Sequence, residues 1–324
     1  MLPRIAVTLL GLGAIAGLSC AEEPTRRIDG KPDLGVNAPL NGWRPMEADS
    51  EWNRTIVDEQ VDPNSDKLLA AIKYPSGKFA GHAWFHPDFG PDFGIPYLVV
   101  DNAPLAPVEF DTAEESDEGP YAIPANAPIE EGSDHHVIVL DRGRNQLYEL
   151  FGARREQNQW HANSGAIFDT RAEDRQRTAG WTSADAAGLP IFPGLVKYDE
   201  VASGEIKHAL RFTAPKTRKA YVFPASHYAS SDTSPDLPPM GMRIRLKKSF
   251  DTRPYGRKVR TILKCLQTYG AILADNGAPF FLTGAPHKKW NNDELAELKR
   301  VRDDLLFNSL EVMRIDPDRL TVGR

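Results

Sequence analysis

Apolar and polar positions along this chain change period often and over short distances, the pattern of many short strands and few helices. The clearest alternation lies at 242–247, where Met242, Ile244 and Leu246 interleave with Arg243, Arg245 and Lys247. A period of two predicts a half-buried strand with one core face and a row of solvated cations on the other. β-Prone runs at 135–140 and 146–151 flank Asp141-Arg142-Gly143-Arg144-Asn145, which predicts a hairpin. Runs at 206–213 and 220–223 carry the same strand signal. A second hairpin is expected from 271–274 and 279–283 across Asp275-Asn276-Gly277, because Asn-Gly supplies the positive φ angles of tight turns.

Helical spacing is rarer. Val259, Ile262, Leu263 and Leu266 fall on one face, with Gly270 placed to stop the helix. Asn291, followed by Glu294 three residues later, predicts the start of another helix carrying Leu295, Leu298 and Val301. With 26 prolines and 25 glycines breaking the chain into short elements, the expected fold is mainly β, a β-sandwich or jelly-roll-like domain with a few peripheral helices. That domain is expected to cover 51–324. The run 109–134, with nine acidic residues, no basic ones and three prolines, reads as a solvated acidic loop within it, without the ligand spacing of an EF-hand.

The N-terminal pattern is different in kind. Arg4, an unbroken apolar run at 5–18, and Ser19-Cys20-Ala21 before Glu22-Glu23 describe an export signal over 1–21, followed by a flexible polar segment over 22–50. Cleavage before Cys20 would leave a lipid-anchored cysteine, and cleavage after Ala21 a free protein. Gly17, where a lipobox carries a branched aliphatic residue, favours free release. The expected location is the periplasm, the medium or a lipid anchor at the cell envelope, with membrane contact only through Cys20.

Composition then excludes several classes. The 324 residues carry a formal charge of −6 with no dominant basic patch, so nucleic acid is not an expected partner. Of two cysteines only Cys265 lies in the body, which leaves no internal disulfide and no cysteine-built zinc site. Its place on the edge of an apolar helical face predicts inert packing. His82, His86 and Asp88 have a spacing a metal could use, but Pro87 opposes a helical presentation, and His135 and His136 point to opposite faces of a strand. No glycine-rich phosphate loop opens a helix, and Ser183 lacks the nucleophile-elbow pattern, so no cofactor is expected and an esterase has little support.

The densest chemistry lies between Trp160 and Glu200, a stretch of little periodicity. Gly180–Gly194 surrounds Trp181 and Asp185 with small residues that let a ligand approach a carboxylate and an indole together. Asp185 is the first candidate catalytic carboxylate, with Asp169 and Glu200 as candidate partners. Trp160, Trp181, Tyr198, Arg211, Arg243 and Arg245 are candidate substrate-binding residues.

The runs DHHVIVLDRGRNQLYELFGA, GWTSADAAGLPIFPGLVKYDEV, HALRFTAPKTRKAYVFPASHYAS, LPPMGMRIRLKKSF and ILKCLQTYGAILADNG resemble a group of secreted proteins of bacteria and some fungi, over roughly Trp84 to Arg300. The resemblance implies a family without an assigned activity and carries over no catalytic residue.

These readings converge on an exported carbohydrate-active enzyme acting on a polysaccharide or oligosaccharide, most simply a glycan hydrolase using paired carboxylates. A polysaccharide lyase is the alternative, in which the cations at 211, 243 and 245 neutralise a uronate and Tyr221, His227 or Tyr228 moves the proton. A noncatalytic glycan-binding or surface protein is the alternative from another class.

Overall fold

In a computed structural model the described residues are 30–172 and 177–323. They form sixteen mostly short strands and five α-helices, a mainly β architecture built around two larger sheets. The signal region and the start of the segment 22–50 lie outside the described residues. None of the helices among the described residues is long and apolar enough to cross a membrane.

The larger sheet has six strands, in the order Leu310–Val312, Arg243–Leu246, Ala271–Asn276, Leu210–Ala214, Phe281–Thr283 and His86–Asp88. Two of its ladders are parallel, Leu210–Ala214 with Ala271–Asn276 and Phe281–Thr283 with His86–Asp88. One face is apolar, with Ile244, Leu210, Phe212, Leu273 and Leu282 packed in one cluster with Val259, Ile262, Leu263 and Leu266 of the Arg257–Thr268 helix. That helix and its contact residues follow the sequence pattern, and Asn291 caps the Asn292–Leu295 helix through its side-chain oxygen, accepting from the N–H of Asp293 and Glu294.

The opposite face is polar. Register places Arg243 beside Ile272, Ile272 beside Arg211, and Thr283 beside Asp88, so these side chains share it. The alternation expected at 242–247 is present, but of its cations only Lys247 meets solvent. Arg243 is buried by the carbonyls of Glu51, Arg54 and Tyr269 and by the Glu51 carboxylate. Arg245 is buried by the carbonyls of Ile56 and Val57 and by Glu311. Irregular backbone at 45–60 crosses this face, and its carbonyls, which have no ladder partners, require the donors that guanidinium groups supply.

The second hairpin is also revised. Ala271–Asn276 and Phe281–Thr283 do not pair with each other, because Leu210–Ala214 lies between them. The connection crosses the end of that strand, with Gly277 donating to Ala214 and Phe280 to Thr213. Positive φ falls on Phe280 and not on Gly277.

The second sheet orders Gly35–Val36, Tyr97–Val100, Val137–Asp141, Gln146–Phe151 and Ser164–Asp169, and contains the expected first hairpin. Val137, Val139, Tyr148 and Leu150 on one face pack under Tyr121, Ile123 and Trp160. The acidic run is therefore no free excursion. It turns most of its charges outward, folds Glu130 in against His136, and buries Tyr121, Ala122 and Ile123 against the sheet. Ile138, Leu140 and Leu147 on the other face meet Ile191, Phe192 and Leu195. The segment 183–196 thus lies between the two sheets.

The Arg257–Thr268 helix ends where Gly270 adopts φ +69°, and a Cβ there would stand 2.2 Å from the Ile244 carbonyl oxygen. Alanine meets both a strained backbone and an immovable acceptor. Gly270→Ala is expected to lower stability by about 2 kcal/mol or more in urea denaturation; an unchanged midpoint would contradict this close approach.

Candidate active site

The contact that fixes segment 183–196 to the polar face is an ion pair. Arg211 donates from Nη2 to Asp185 Oδ1 at 2.9 Å and from Nε to Oδ2 at 3.3 Å, while Nη1 donates to Thr283 Oγ1 at 2.8 Å. The side chains are 4% and 0% exposed. Ser183 shapes the turn, its hydroxyl accepting from the Asp185 N–H at 2.9 Å and donating to Leu189 O at 2.7 Å. Backbone bonds from Ala187 to Ala274 and from Val196 to Thr283 stitch the segment to the sheet.

Asp185 is thereby sealed from solvent, and its role as a catalytic acid on a substrate is replaced by a structural one. Arg211, likewise, has no free donor face for a uronate. Glu200 is held by His208 Nε2 at 3.1 Å and Lys197 Nζ at 3.9 Å. Burial pushes its carboxyl up, but Lys197 and His208 outweigh that and hold it below the usual range. Trp160 is buried with Nε1 donating to Ile123 O at 3.1 Å, so it offers no stacking plate. Tyr198 stacks on His287 at 4.2 Å. Trp181 and Asp169 do meet, lining a cavity of about 380 Å³. There the Arg177 guanidinium already lies 5.7 Å from the indole and pairs with Asp117 at 2.6 Å. Cys265 is buried, as expected, with burial pushing its thiol well up.

A different pair of carboxylates shares an open groove of about 1030 Å³. Asp88 enters it from the edge strand of the large sheet, and Glu130 from the loop 128–134. Phe93, 44% exposed, and Ile129 supply apolar surface to the same groove, and Pro91, Pro96 and Pro128 stiffen its walls. Gly94, at φ +125° and lining the groove, is where the chain passes so close that a Cβ would stand 2.4 Å from the Gly284 carbonyl oxygen.

Glu130 is clamped by His136, whose Nδ1 lies 2.6 Å from Oε2 and whose Nε2 lies 3.1 Å from the Ala184 carbonyl oxygen. Both ring nitrogens face acceptors, so the imidazole is a doubly protonated donor to an ionised carboxylate. Burial alone would depress His136, but Glu130 outweighs it and raises it. Reciprocally, burial pushes Glu130 up while the His136 hydrogen bond and charge bring it below its ordinary value. Asp88 moves the other way: burial raises it, Arg211 opposes, and Glu130 and Asp134 add to the rise. Two carboxyls in one groove are thus driven in opposite directions, the arrangement that separates an acid from a base.

Residues 184 and 185 serve both. Ala184 holds His136 against Glu130, and Asp185 holds Arg211 against Thr283, the register partner of Asp88. Sequence reasoning reached this run but assigned it to substrate contact. Asp88 had been weighed only as a metal ligand with His82 and His86. In the structure His82 instead pairs with Asp303 at 3.0 Å, and no cluster of three or more potential ligands occurs among the described residues.

No family model, no curated protein and no solved structure matches this chain.

Behind the groove, Glu149 is fully buried between the sheets and accepts the N–H groups of Ile191 and Phe192. Burial pushes its carboxyl up from 4.5 to about 7 despite those donors. The folded chain therefore retains a proton that the unfolded chain releases near its ordinary value, and the Glu149 contribution to stability is lost as pH rises through that interval to about 7. Glu149→Gln cannot ionise. Relative to wild type, its stability should rise by up to about 1.4 kcal/mol per pH unit between about pH 5 and 7. Parallel denaturant titrations at several pH values check this, and identical slopes in the two proteins would refute it.

Proposed function

We propose that this chain is an exported glycan hydrolase whose catalytic carboxylates are Asp88 and Glu130. The observation that carries the reading is their presence in one groove with opposite shifts, beside an exposed aromatic ring. Asp88, whose carboxyl is raised above its ordinary value by burial, is the acid that donates to the glycosidic oxygen as the bond breaks. Glu130, ionised against His136, presents its other oxygen, Oε1, to a water or to the anomeric carbon. Phe93 offers a face for a sugar ring. Export rests on the leader pattern at 1–21, with release or anchoring decided at Cys20. The finer architecture belongs to the same reading: two sheets as the layers of a sandwich, with Phe192 of the filling segment edge-on to Tyr97 at 5.0 Å.

Charge favours hydrolysis over elimination. Asp88, Asp92, Glu130, Glu131 and Asp134 line the groove against His287 and Lys288, and Lys288 is paired with Asp92. Such a surface repels a polyuronate and suits a neutral or amino sugar. Arg243 and Arg245, which the lyase alternative needed, are spent on the chain's own carbonyls and carboxylates.

Incubation of the purified protein with a panel of neutral, amino and uronate polysaccharides, followed by a reducing-end assay, tests the proposal. Asp88→Asn should lower cleavage by about a hundredfold or more with an unchanged unfolding midpoint, and Glu130→Gln by as much with a lowered midpoint, because it also breaks the pair with His136. Wild-type activity should fall toward neutral pH as Asp88 loses its proton and toward low pH as Glu130 gains one. Binding without new reducing ends would establish the noncatalytic alternative, and ultraviolet-absorbing products would establish elimination.

A further inference from the structure

A second cavity, lined in part by His86 of the same edge strand that carries Asp88, is built from opposite materials. Tyr74, Phe79 and Trp84 line a space of about 620 Å³. Their rings lie 5.0–5.8 Å apart, with Phe79 edge-on to Trp84 at 81°. Phe79 is 46% exposed, an unusual placement for a phenyl ring that has two aromatic neighbours to bury against. Lys78, Lys299 and Arg302 stand at the same cavity. Arg302 is paired with Asp303, which also holds His82, whereas neither lysine has an ion-pair partner among the described residues. Lys78 rests over the Phe79 ring at 5.7 Å.

His86 completes the wall. It stacks on Phe281 at 4.1 Å, and its Nδ1 is buried without a hydrogen-bond partner among the described residues. A buried polar atom left unpaired is costly unless something else satisfies it. Burial and Lys299 push His86 down to about 4, so at neutral pH the ring is uncharged and adds no cation of its own. The cavity therefore offers an apolar aromatic lining and two ammonium groups that have no ion-pair partner among the described residues.

We infer that this cavity binds a planar aromatic carboxylate, its ring against the wall formed by Tyr74, Phe79 and Trp84 and its carboxylate toward Lys78 and Lys299. The three rings pack directly on one another at 5.0–5.8 Å and present one apolar aromatic wall on which a planar ring can stack. The two lysines provide the charge complement.

Isothermal titration calorimetry with 4-hydroxycinnamate tests the assignment on the full mature chain. The wild type should bind it saturably, and the matching neutral alcohol about tenfold or more weakly, because the charged contacts are lost. Phe79→Ala should weaken binding by about tenfold or more with a modestly lowered thermal midpoint, and the double variant Lys78→Met/Lys299→Met, which alters exposed side chains, should do so without moving it. Asp88→Asn should bind as the wild type does, which separates this site from the groove. No saturation by about 10 mM, equal binding of acid and alcohol, unaltered affinity in the lysine double variant, or binding of galacturonate in place of the aromatic acid would each overturn it.

Discussion

The structure depends on how one sheet face full of guanidinium groups is kept out of water. Arg211, Arg243 and Arg245 all project from the same side of the six-stranded sheet, and all are buried. Each guanidinium carries five donors, and leaving them unmet in the interior would cost several kcal/mol per group. The chain meets them with its least regular parts, the carbonyls of 51–57 and the Asp185 carboxylate. Regular elements supply only Thr283, Glu311 and the helix-end carbonyl of Tyr269, because strand and helix interiors have already used their carbonyls. The irregularity of both covering segments is therefore a requirement of the face they cover.

Of these contacts, Asp185–Arg211 reaches furthest. Breaking a buried pair by removing one partner typically costs about 3–5 kcal/mol, while replacing both with apolar groups can be neutral. What the pair supplies is position. Gly194 shows how tightly the segment is seated, since a Cβ there would meet the Trp52 ring at 2.8 Å and Arg211 Cβ at 2.9 Å. With the segment docked at this height, the Ala184 carbonyl lies where His136 Nε2 needs an acceptor, and Asp275 is pushed up to about 7 by burial first and by the Asp185 charge second. The clamp on Glu130 thus depends on a segment that does not itself line the groove.

Much of this was legible in the residues, in proportion to how local the physics is. The helix over Val259–Leu266, its stop at Gly270, the Asn291 cap and the 137–151 hairpin depend on neighbours a few positions away, and the pattern reports them. The strand 243–246 was readable as a strand, but whether Arg243 and Arg245 met water depended on residues 51–57, almost two hundred positions distant. The Asp275-Asn276-Gly277 turn misled for the same reason. Its chemistry suits a tight hairpin, yet a parallel partner, Leu210–Ala214, occupies the space where the returning strand would pair. In the stretch 180–194, Ala184 and Asp185 hold His136 and Arg211, while Trp181, Gly188, Leu189 and Pro190 line a cavity. Asp88 and Glu130 carried no local signal, since one sits in a three-residue edge strand and the other in a run where acids are common.

The roles assigned within the groove run against the intrinsic order of the two side chains. An ordinary aspartic acid, at 3.8, gives up its proton before an ordinary glutamic acid, at 4.5. In solution Asp88 would therefore be the base and Glu130 the acid. The fold works against that order with two separate devices. Asp88 is desolvated on an edge strand and faces the charges of Glu130 and Asp134, which favours its neutral form. Glu130 is also desolvated, but it receives a charged imidazolium at 2.6 Å, which favours its ionised form. Each pH unit of displacement corresponds to about 1.4 kcal/mol of differential stabilisation, so small differences in placement decide which group carries the proton. His136 is the decisive member. Without it burial would push both carboxyls in the same direction, opposed only by the Arg211 charge, and the separation between them would be lost.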